Sequence, residues 1–501
     1  MQRMTAESTR TGLFEHVAAV AERLPANANA LVEGAHCLTY RQLVQAASLF
    51  RDNVAGAGVQ RGDRVGVILG NRKEFLIAAL GIWGRGAILL PLSPQSTQAE
   101  LQRYLLDSAV RAVVAGARKR STISALRDAG VPVQHAWLFD PDENRWLSEE
   151  VRGAPRLCDT SVDRDSPALT QYSTGSTGQP KRVTRTHGHL LGECRAVGTL
   201  LHVNANDRVL GVAPFFHSYG LAVCALTTLL AGGTLYPVDN LLPDAVAGLI
   251  EREQLTALPG VPFMFKLLSE LDATYDFSSL RFALSAGAAL PAATARKFEA
   301  VYGVPIRQLY GSTETGAIAT SDVNEPVPAD TCVGAPIPGV GVELLDDEGR
   351  TVSPGTEGLV CVRSPYAPTA YDTPVPAADS HFVAGSFHPG DLAKSSVDGQ
   401  LTLCGRRRAV INVNGLKVDP TEVEDVILRL PGVSEAAVLG SGDAQSGERV
   451  KVVVVAADGI TPETIRAHCT RQLAPFKCPQ IIEFRRELPR SPVGKILRKD
   501  L

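Results

Sequence analysis

The segment Tyr172-Ser-Thr-Gly-Ser-Thr-Gly-Gln-Pro-Lys-Arg-Val183 carries the residue types of an anion-binding loop. Gly175 and Gly178 reach backbone conformations that other residues avoid, so neighbouring N–H groups can converge on one anion. Ser173, Thr174, Ser176 and Thr177 add hydroxyl donors, and Lys181 adds a positive charge within reach. The chemistry this suits is the cradling of a phosphate. The spacing is not that of a Walker A loop, G-x-x-x-x-G-K-[ST], nor of a dinucleotide fingerprint. Without its lysine the segment would read as a flexible Gly/Ser loop.

A second cluster, Tyr310-Gly-Ser-Thr-Glu314, ends a strand with an aromatic ring, hydroxyls and a carboxylate. An aromatic face there can stack on a purine, Thr313 can bond a phosphate oxygen, and Glu314 can hold Mg²⁺ together with waters. The same residues would also make a capped turn before a helix. His217 follows two phenylalanines and by itself reads as a packed core histidine. Asp391 in Gly390-Asp391 reads as a turn, and Lys495 as a solvated charge.

The elements that must position these groups alternate. Arg64–Leu69, Ala87–Leu92 and Val110–Ala115 read as strands, with helices at Glu74–Trp83 and Gln98–Asp107 between them. The rhythm resumes with strands at Arg208–Ala213, Thr234–Val238, Phe282–Ser285 and Ile306–Leu309. Helices are expected at Leu221–Leu230, Asp244–Glu253 and Pro291–Tyr302, the last with proline in its first turn. Such alternation predicts an α/β fold of open, mostly parallel sheets flanked by helices, with ligands at the carboxyl ends of the strands. From Val333 to Leu403 glycine and proline recur, strands shorten and helical periodicity is missing, which predicts a small β subdomain. After Gly405 a separate α+β domain is expected. The division is thus 1–405 and 406–501, with a hinge near Arg406–Arg408.

The signature loop resembles that of the adenylate-forming superfamily: acyl- and aryl-CoA ligases, peptide-synthetase adenylation domains and beetle luciferases. The likeness continues through Leu38-Thr-Tyr-Arg-Gln-Leu43, Gly62-Asp-Arg-Val65, Pro214-Phe-Phe-His-Ser-Tyr-Gly220, Tyr310–Glu314, Pro389-Gly-Asp391, Gly405-Arg406 and Pro492-Val-Gly-Lys495, in the family's order. The resemblance implies an AMP-forming acid–thiol ligase that uses ATP and Mg²⁺ and passes the acyl group to coenzyme A. It also implies roles. Gly287-Ala288-Ala289, Tyr310, Gly311 and Ser312 flank the adenine; Asp391, with Arg406 beside it, takes the ribose hydroxyls; Thr174 joins Glu314 near the metal. His217 lines the carboxylate site, and Lys495 reaches in for the first half-reaction. A rotation of the C-terminal domain then replaces Lys495 with Asn412–Pro420, where Gly415 lets a slender pantetheine pass. Three residues depart from the family pattern: Arg182 in place of the glycine after Lys181, Arg408 at the hinge, and Asn412 where many relatives carry lysine.

The acyl pocket is expected from Phe215–Gly220, Val261, Ser285–Gly287 and Gly311–Ala317, without an obvious buried charge. His217 stands where relatives that activate α-amino acids usually place an aspartate, which favours a fatty or aromatic acid. Delivery to a carrier protein's phosphopantetheine is the alternative to coenzyme A, and Arg407, Arg408 and Lys417 could meet either acceptor. A more distant alternative, a serine hydrolase, rests on Ala283-Leu-Ser-Ala-Gly287, which lacks the first glycine of a nucleophile elbow.

The chain has 501 residues, 45% of them hydrophobic and 21% charged, with net charge -3 and pI near 6.4. Nothing in that balance suggests a nucleic-acid partner, and Arg118-Lys119-Arg120 reads as a solvated loop face. The nine cysteines are scattered, without a C-x-x-C pair, which suggests thiols in a reducing compartment rather than a zinc site or disulfide framework. Met1–Phe14 lacks the apolar core of a signal peptide, and Leu221–Ala231 is too short to span a bilayer. The expected location is the cytoplasm.

Overall fold

The computed structural model describes residues 12–140, 145–148, 162–173, 181–239, 242–328, 332–375, 380–406, 410–443, 447–489 and 501. A seven-stranded sheet runs in the order Arg145–Ser148, His135–Asp140, Ala112–Gly116, Arg64–Ile68, Ile88–Pro91, Pro167–Ser173, Lys181–Thr186. Its five inner strands are parallel and its two edge strands antiparallel. A second sheet has a parallel centre formed by Ile306–Ser312, Phe282–Ala286, Ala257–Gly260, Arg208–Gly211, Thr234–Pro237 and Asn29–Glu33. It continues as antiparallel strands from Gly316–Thr320 through Cys332–Pro336 and Leu401–Arg406 to the short pair Phe382–Val383 and Ser386–Phe387. The Gly/Pro-rich region is therefore an extension of this sheet.

The helix Lys73–Gly84 is apolar nearly all round and buried along its whole length, as a helix enclosed on every side must be. Trp83 at its end donates its indole N–H to Ala168 O at 2.8 Å. One hydrophobic core draws on both sheets, so they form one body around the helices between them.

The helix Gln98–Asp107 has the predicted limits, because Thr97 and Glu100 form a capping box at its start. Leu221–Leu230 differs from expectation. Tyr219–Leu226 is a π-helix, followed by the α-helix Thr227–Ala231. Pro291 is an N-cap residue, one place before the helix Ala292–Tyr302.

The C-terminal domain is a five-stranded sheet, Leu416–Val418, Ile411–Val413, Gly447–Ala456 and Val433–Asp443, with Ile481–Phe484 added parallel to Gly447–Ala456. Helices Pro420–Leu428 and Pro462–Gln472 pack over a core of its own.

Candidate active site

The strand Pro167–Ser173 delivers Ser173 to a cavity of about 990 Å³, and the following strand begins at Lys181 on the same cavity. Thr174, Gly175, Ser176, Thr177 and Gly178 lie outside the described residues, as do Arg407, Arg408 and Lys495. Lys181 is buried, its Nζ 5.4 Å from the centre of the Tyr371 ring. The Tyr371 hydroxyl donates to Glu314 Oε1 at 3.0 Å. Glu314 is buried too, so Tyr371 joins the cation of one sheet to the carboxylate of the other. Burial and the Glu314 charge both push the Tyr371 phenol pKa upward, which keeps it a hydrogen-bond donor.

Strand alternation explains Arg182. Lys181, Val183 and Arg185 face inward and Arg182 faces the other way. Its guanidinium bonds the Asp107 carbonyl and lies 2.7 Å from the Asp107 carboxylate, with Asp372 at 3.6 Å. The Tyr172 hydroxyl also bonds Asp107. Arg182 thus ties the strand pair Pro167–Ser173 and Lys181–Thr186 to the end of helix Gln98–Asp107 and to the Asp372 segment.

Gly311, Ser312, Thr313 and Glu314 line the cavity, on the turn between strands Ile306–Ser312 and Gly316–Thr320. Tyr310, just inside, is buried and donates to Asp391 Oδ2 at 2.5 Å. These two meet as a pair behind the cavity wall, which at that place is formed by Leu309, Gly311, Pro389 and Gly390. Arg406 pairs with Asp391 across neighbouring strands. Gly287 opens on the cavity, while Ala288 and Ala289 run past it towards solvent.

His217 stands on the cavity wall with Phe216, their ring centres 4.5 Å apart. Its ring faces the open interior and is wrapped by protein, which lowers its pKa to about 4 and leaves it neutral at pH 7. The backbone that carries it is tightly held. Gln171 donates to Phe216 O at 3.1 Å and accepts from Ser218 at 2.5 Å. A Cβ on Gly220 would lie 2.2 Å from Pro214 O, so no larger residue fits. A π turn at a pocket is a recurrent functional feature.

The expected acyl wall is partly revised. Phe216, Val223, Val261, Ala286, Leu309 and Ala317 supply apolar surface, whereas Phe215 is fully buried behind them against Phe75. A buried charge does flank the pocket. Glu193 accepts from Ala317 N at 2.7 Å and pairs with Arg185 at 2.6 Å. The sequence hint was Glu193 set among Leu190, Leu191, Cys194, Ala196 and Val197 in the helix His187–Leu200. Tyr371 left no such hint, because it lies in coil. Ser285 is buried within its strand and its Oγ has no hydrogen-bond partner among the described residues, so none of these activates it for hydrolysis.

The C-terminal domain closes the cavity. Asn414, Gly415, Leu416 and Lys417 line it, and Asn412 Nδ2 donates to Gly287 O at 3.2 Å. The turn is shaped by Gly415 N donating to Asn412 Oδ1 at 2.9 Å, with Gly415 at φ 84 against Val261. Asn412 therefore has a role of its own, as both turn former and interdomain contact.

Among the described residues no three His, Cys, Asp or Glu gather to hold a metal, and no helix is long and apolar enough to cross a membrane. Glu314, a buried carboxylate on the cavity beside the Thr313 hydroxyl, fits an ion such as Mg²⁺, which keeps most of its waters and takes one or two protein oxygens.

Residues 17–371 match the model of the AMP-binding enzyme family, and residues 422–495 that of the AMP-binding enzyme C-terminal domain. The chain belongs to the AMP-binding enzyme family, and its class is the AMP-forming acid–thiol ligases. It is 30% identical to a long-chain-fatty-acid–CoA ligase of Escherichia coli O157:H7, over 94% of this chain and 91% of that one. It is 31% identical to a feruloyl-CoA synthase of an Amycolatopsis species, over 96% of each. In three dimensions it resembles the amide bond synthetase McbA of Marinactinospora thermotolerans, with TM-score 0.87, 26% identity, and coverage of 98% of this chain and 99% of that one.

Proposed function

We propose that this chain activates a fatty or aromatic carboxylic acid with ATP and transfers the acyl group to coenzyme A. The observation that carries the reading is the convergence of Lys181, Glu314 and His217 on one cavity closed by Asn412–Lys417. In the first half-reaction a carboxylate oxygen attacks the α-phosphorus and pyrophosphate leaves. Both partners are anions, so bringing them together requires fixed positive charge. Lys181 supplies it beside the loop, and Lys495 is assigned the same task at the reacting atoms. Thr313 bonds the α-phosphate. Glu314, oriented by Tyr371, would hold Mg²⁺, which when bound neutralises phosphate charge. Asp391, paired with Tyr310, backs the wall on the side assigned to the ribose. Neutral His217 offers an uncharged wall to the acid's head group.

In the second half-reaction a thiol loses its proton, its sulfur attacks the acyl carbonyl, and AMP leaves. The turn at Asn412–Gly415 stands where that thiol would approach, beside Gly287 and Val261. The apolar wall from Phe216 to Ala317, with no aspartate in Pro214–Ser218, supports a fatty or aromatic acid over an α-amino acid. The names of the two relatives span the same choice.

The test is carboxylate-dependent ATP–pyrophosphate exchange over a panel of fatty, aryl and amino acids, followed by thioester formation with coenzyme A or a phosphopantetheinylated carrier protein. Exchange with a fatty or aryl acid, and thioester with coenzyme A, are expected. Loading of the carrier alone would move the acceptor assignment to a carrier protein. A flat exchange panel would remove the reading.

A further inference from the structure

We infer that Glu100 and Arg103 of the large domain, with Glu422 and Lys477 of the C-terminal domain, form a separable charge quartet that selects the thioester-forming orientation of the two domains. The inference rests on the proposed function, because it needs two half-reactions to choose between. Lys477 Nζ lies 2.9 Å from Glu100 Oε1 and 3.1 Å from Glu422. Arg103 Nη2 lies 3.0 Å from Glu422 Oε1. Glu100, Glu422 and Lys477 are 3%, 5% and 5% exposed, so the Lys477 contacts are withdrawn from water and little screened by salt, whereas the Arg103 side chain is 38% exposed and its contact is partly screened.

Local structure aims each group. Glu100 and Arg103 stand three residues apart on one face of helix Gln98–Asp107. Glu100 Oε2 is engaged by Thr97 N in the capping box, at 2.9 Å, which turns Oε1 towards Lys477. Glu422 occupies the first turn of helix Pro420–Leu428, directly after the segment that enters the cavity. Lys477 ends the short turn Pro475–Lys477. Holding Glu422 and Lys477 therefore holds the base of the Asn412–Pro420 segment.

The charges divide evenly. Glu100 and Arg103 belong to the large domain and sum to zero; so do Glu422 and Lys477 on the other side. When the domains part, each half keeps a cation near a carboxylate, and no lone charge is left behind. A buried ion pair adds little net stability, since desolvation offsets the attraction, but it is exacting about geometry. An apolar interface of the same extent would hold the domains together without that directional demand. The quartet specifies one orientation and lets go of it, which suits an enzyme that must reopen in each turnover.

The experiment separates the half-reactions in the full-length enzyme. Exchange reports the first, and single-turnover conversion of preformed acyl-adenylate with coenzyme A reports the second. Lys477→Met leaves Glu100 and Glu422 facing one another; exchange should stay within about twofold of the unaltered enzyme while thioester formation slows about tenfold or more. Glu100→Gln retains the helix cap and should slow the second step less. Lys477→Glu should abolish most of that step, because it sets a third carboxylate beside Glu100 and Glu422, whereas Lys477→Arg keeps the charge and should retain most of it. Thermal melts of each variant report folding. An unchanged thioester rate in Lys477→Met, or an equal loss in both half-reactions, would overturn the inference. Absence of exchange in the unaltered enzyme would instead refute the proposed function.

Discussion

Replacing Glu193 with alanine should be among the most damaging single changes in the chain, and the structure sets its size. Arg185 Nη2 and Glu193 Oε2 are 2.6 Å apart, and both side chains are 1% exposed. Arg185 Nε donates to Tyr366 O at 3.0 Å, whereas Nη1 is buried without a hydrogen-bond partner among the described residues. Glu193→Ala would leave that guanidinium without its carboxylate, at a cost of about 3–5 kcal/mol. It would also strand Ala317 N, which now donates to Oε1, at about 1–3 kcal/mol. One carboxylate serves both, so the costs overlap and a loss of about 4 kcal/mol is expected, a large share of a domain's stability. The assay is urea unfolding followed by tryptophan fluorescence. All three tryptophans, Trp83, Trp137 and Trp146, lie in the large domain and report on it alone. Arg185→Met with Glu193→Met removes both charges at similar volume and should cost less than Glu193→Ala. A single variant within about 1 kcal/mol of the parent, or a double worse than the single, would refute the reasoning. Activity should fall as well, because Ala317 follows the turn that carries Thr313 and Glu314.

Tyr371→Phe removes the hydrogen bond to Glu314 and keeps the ring beside Lys181; a bond to a charged group is worth about 1.5–3 kcal/mol, so kcat/KM for ATP in exchange should fall about tenfold or more. An unchanged value would mean Glu314 is held without it. Arg182→Gly loosens the hairpin from Asp107 and Asp372, and the melting temperature should drop by about 2–4 °C, for roughly 1 kcal/mol. Stability should also depend on acid. Burial pushes the pKa of His187 down to about 3, and that of His189 to about 4, from 6.5. Between those values and 6.5 the unfolded chain binds protons that the folded chain refuses, so stability is full above pH 6.5 and is lost as pH falls through the window. His187→Asn keeps an acceptor for Leu13 N and should flatten urea midpoint against pH; an unchanged slope would count against the assignment.

Much of the architecture was legible because it is written in short-range chemistry. The short apolar run expected as a strand at Arg64–Leu69 and the longer one expected as a helix at Glu74–Trp83 fall on the strand Arg64–Ile68 and the helix Lys73–Gly84, and Thr97 with Glu100 marks where Gln98–Asp107 begins. The types and order of the motif residues likewise announced a nucleotide site before any coordinates. What remained hidden depends on contacts between distant parts of the chain. The π turn at Tyr219–Leu226 has an ordinary helical sequence, and nothing in its residue types sets it apart from an α-helix. Arg182 looked like an anomaly within its loop, because its partners Asp107 and Asp372 lie 75 and 190 positions away. Lys477 and Glu100 are 377 residues apart and meet only when one domain is seated on the other. Periodicity and capping act over a few residues, so sequence alone reveals them. Burial and charge pairing are decided by which surfaces the finished fold brings together, and only the tertiary structure records that.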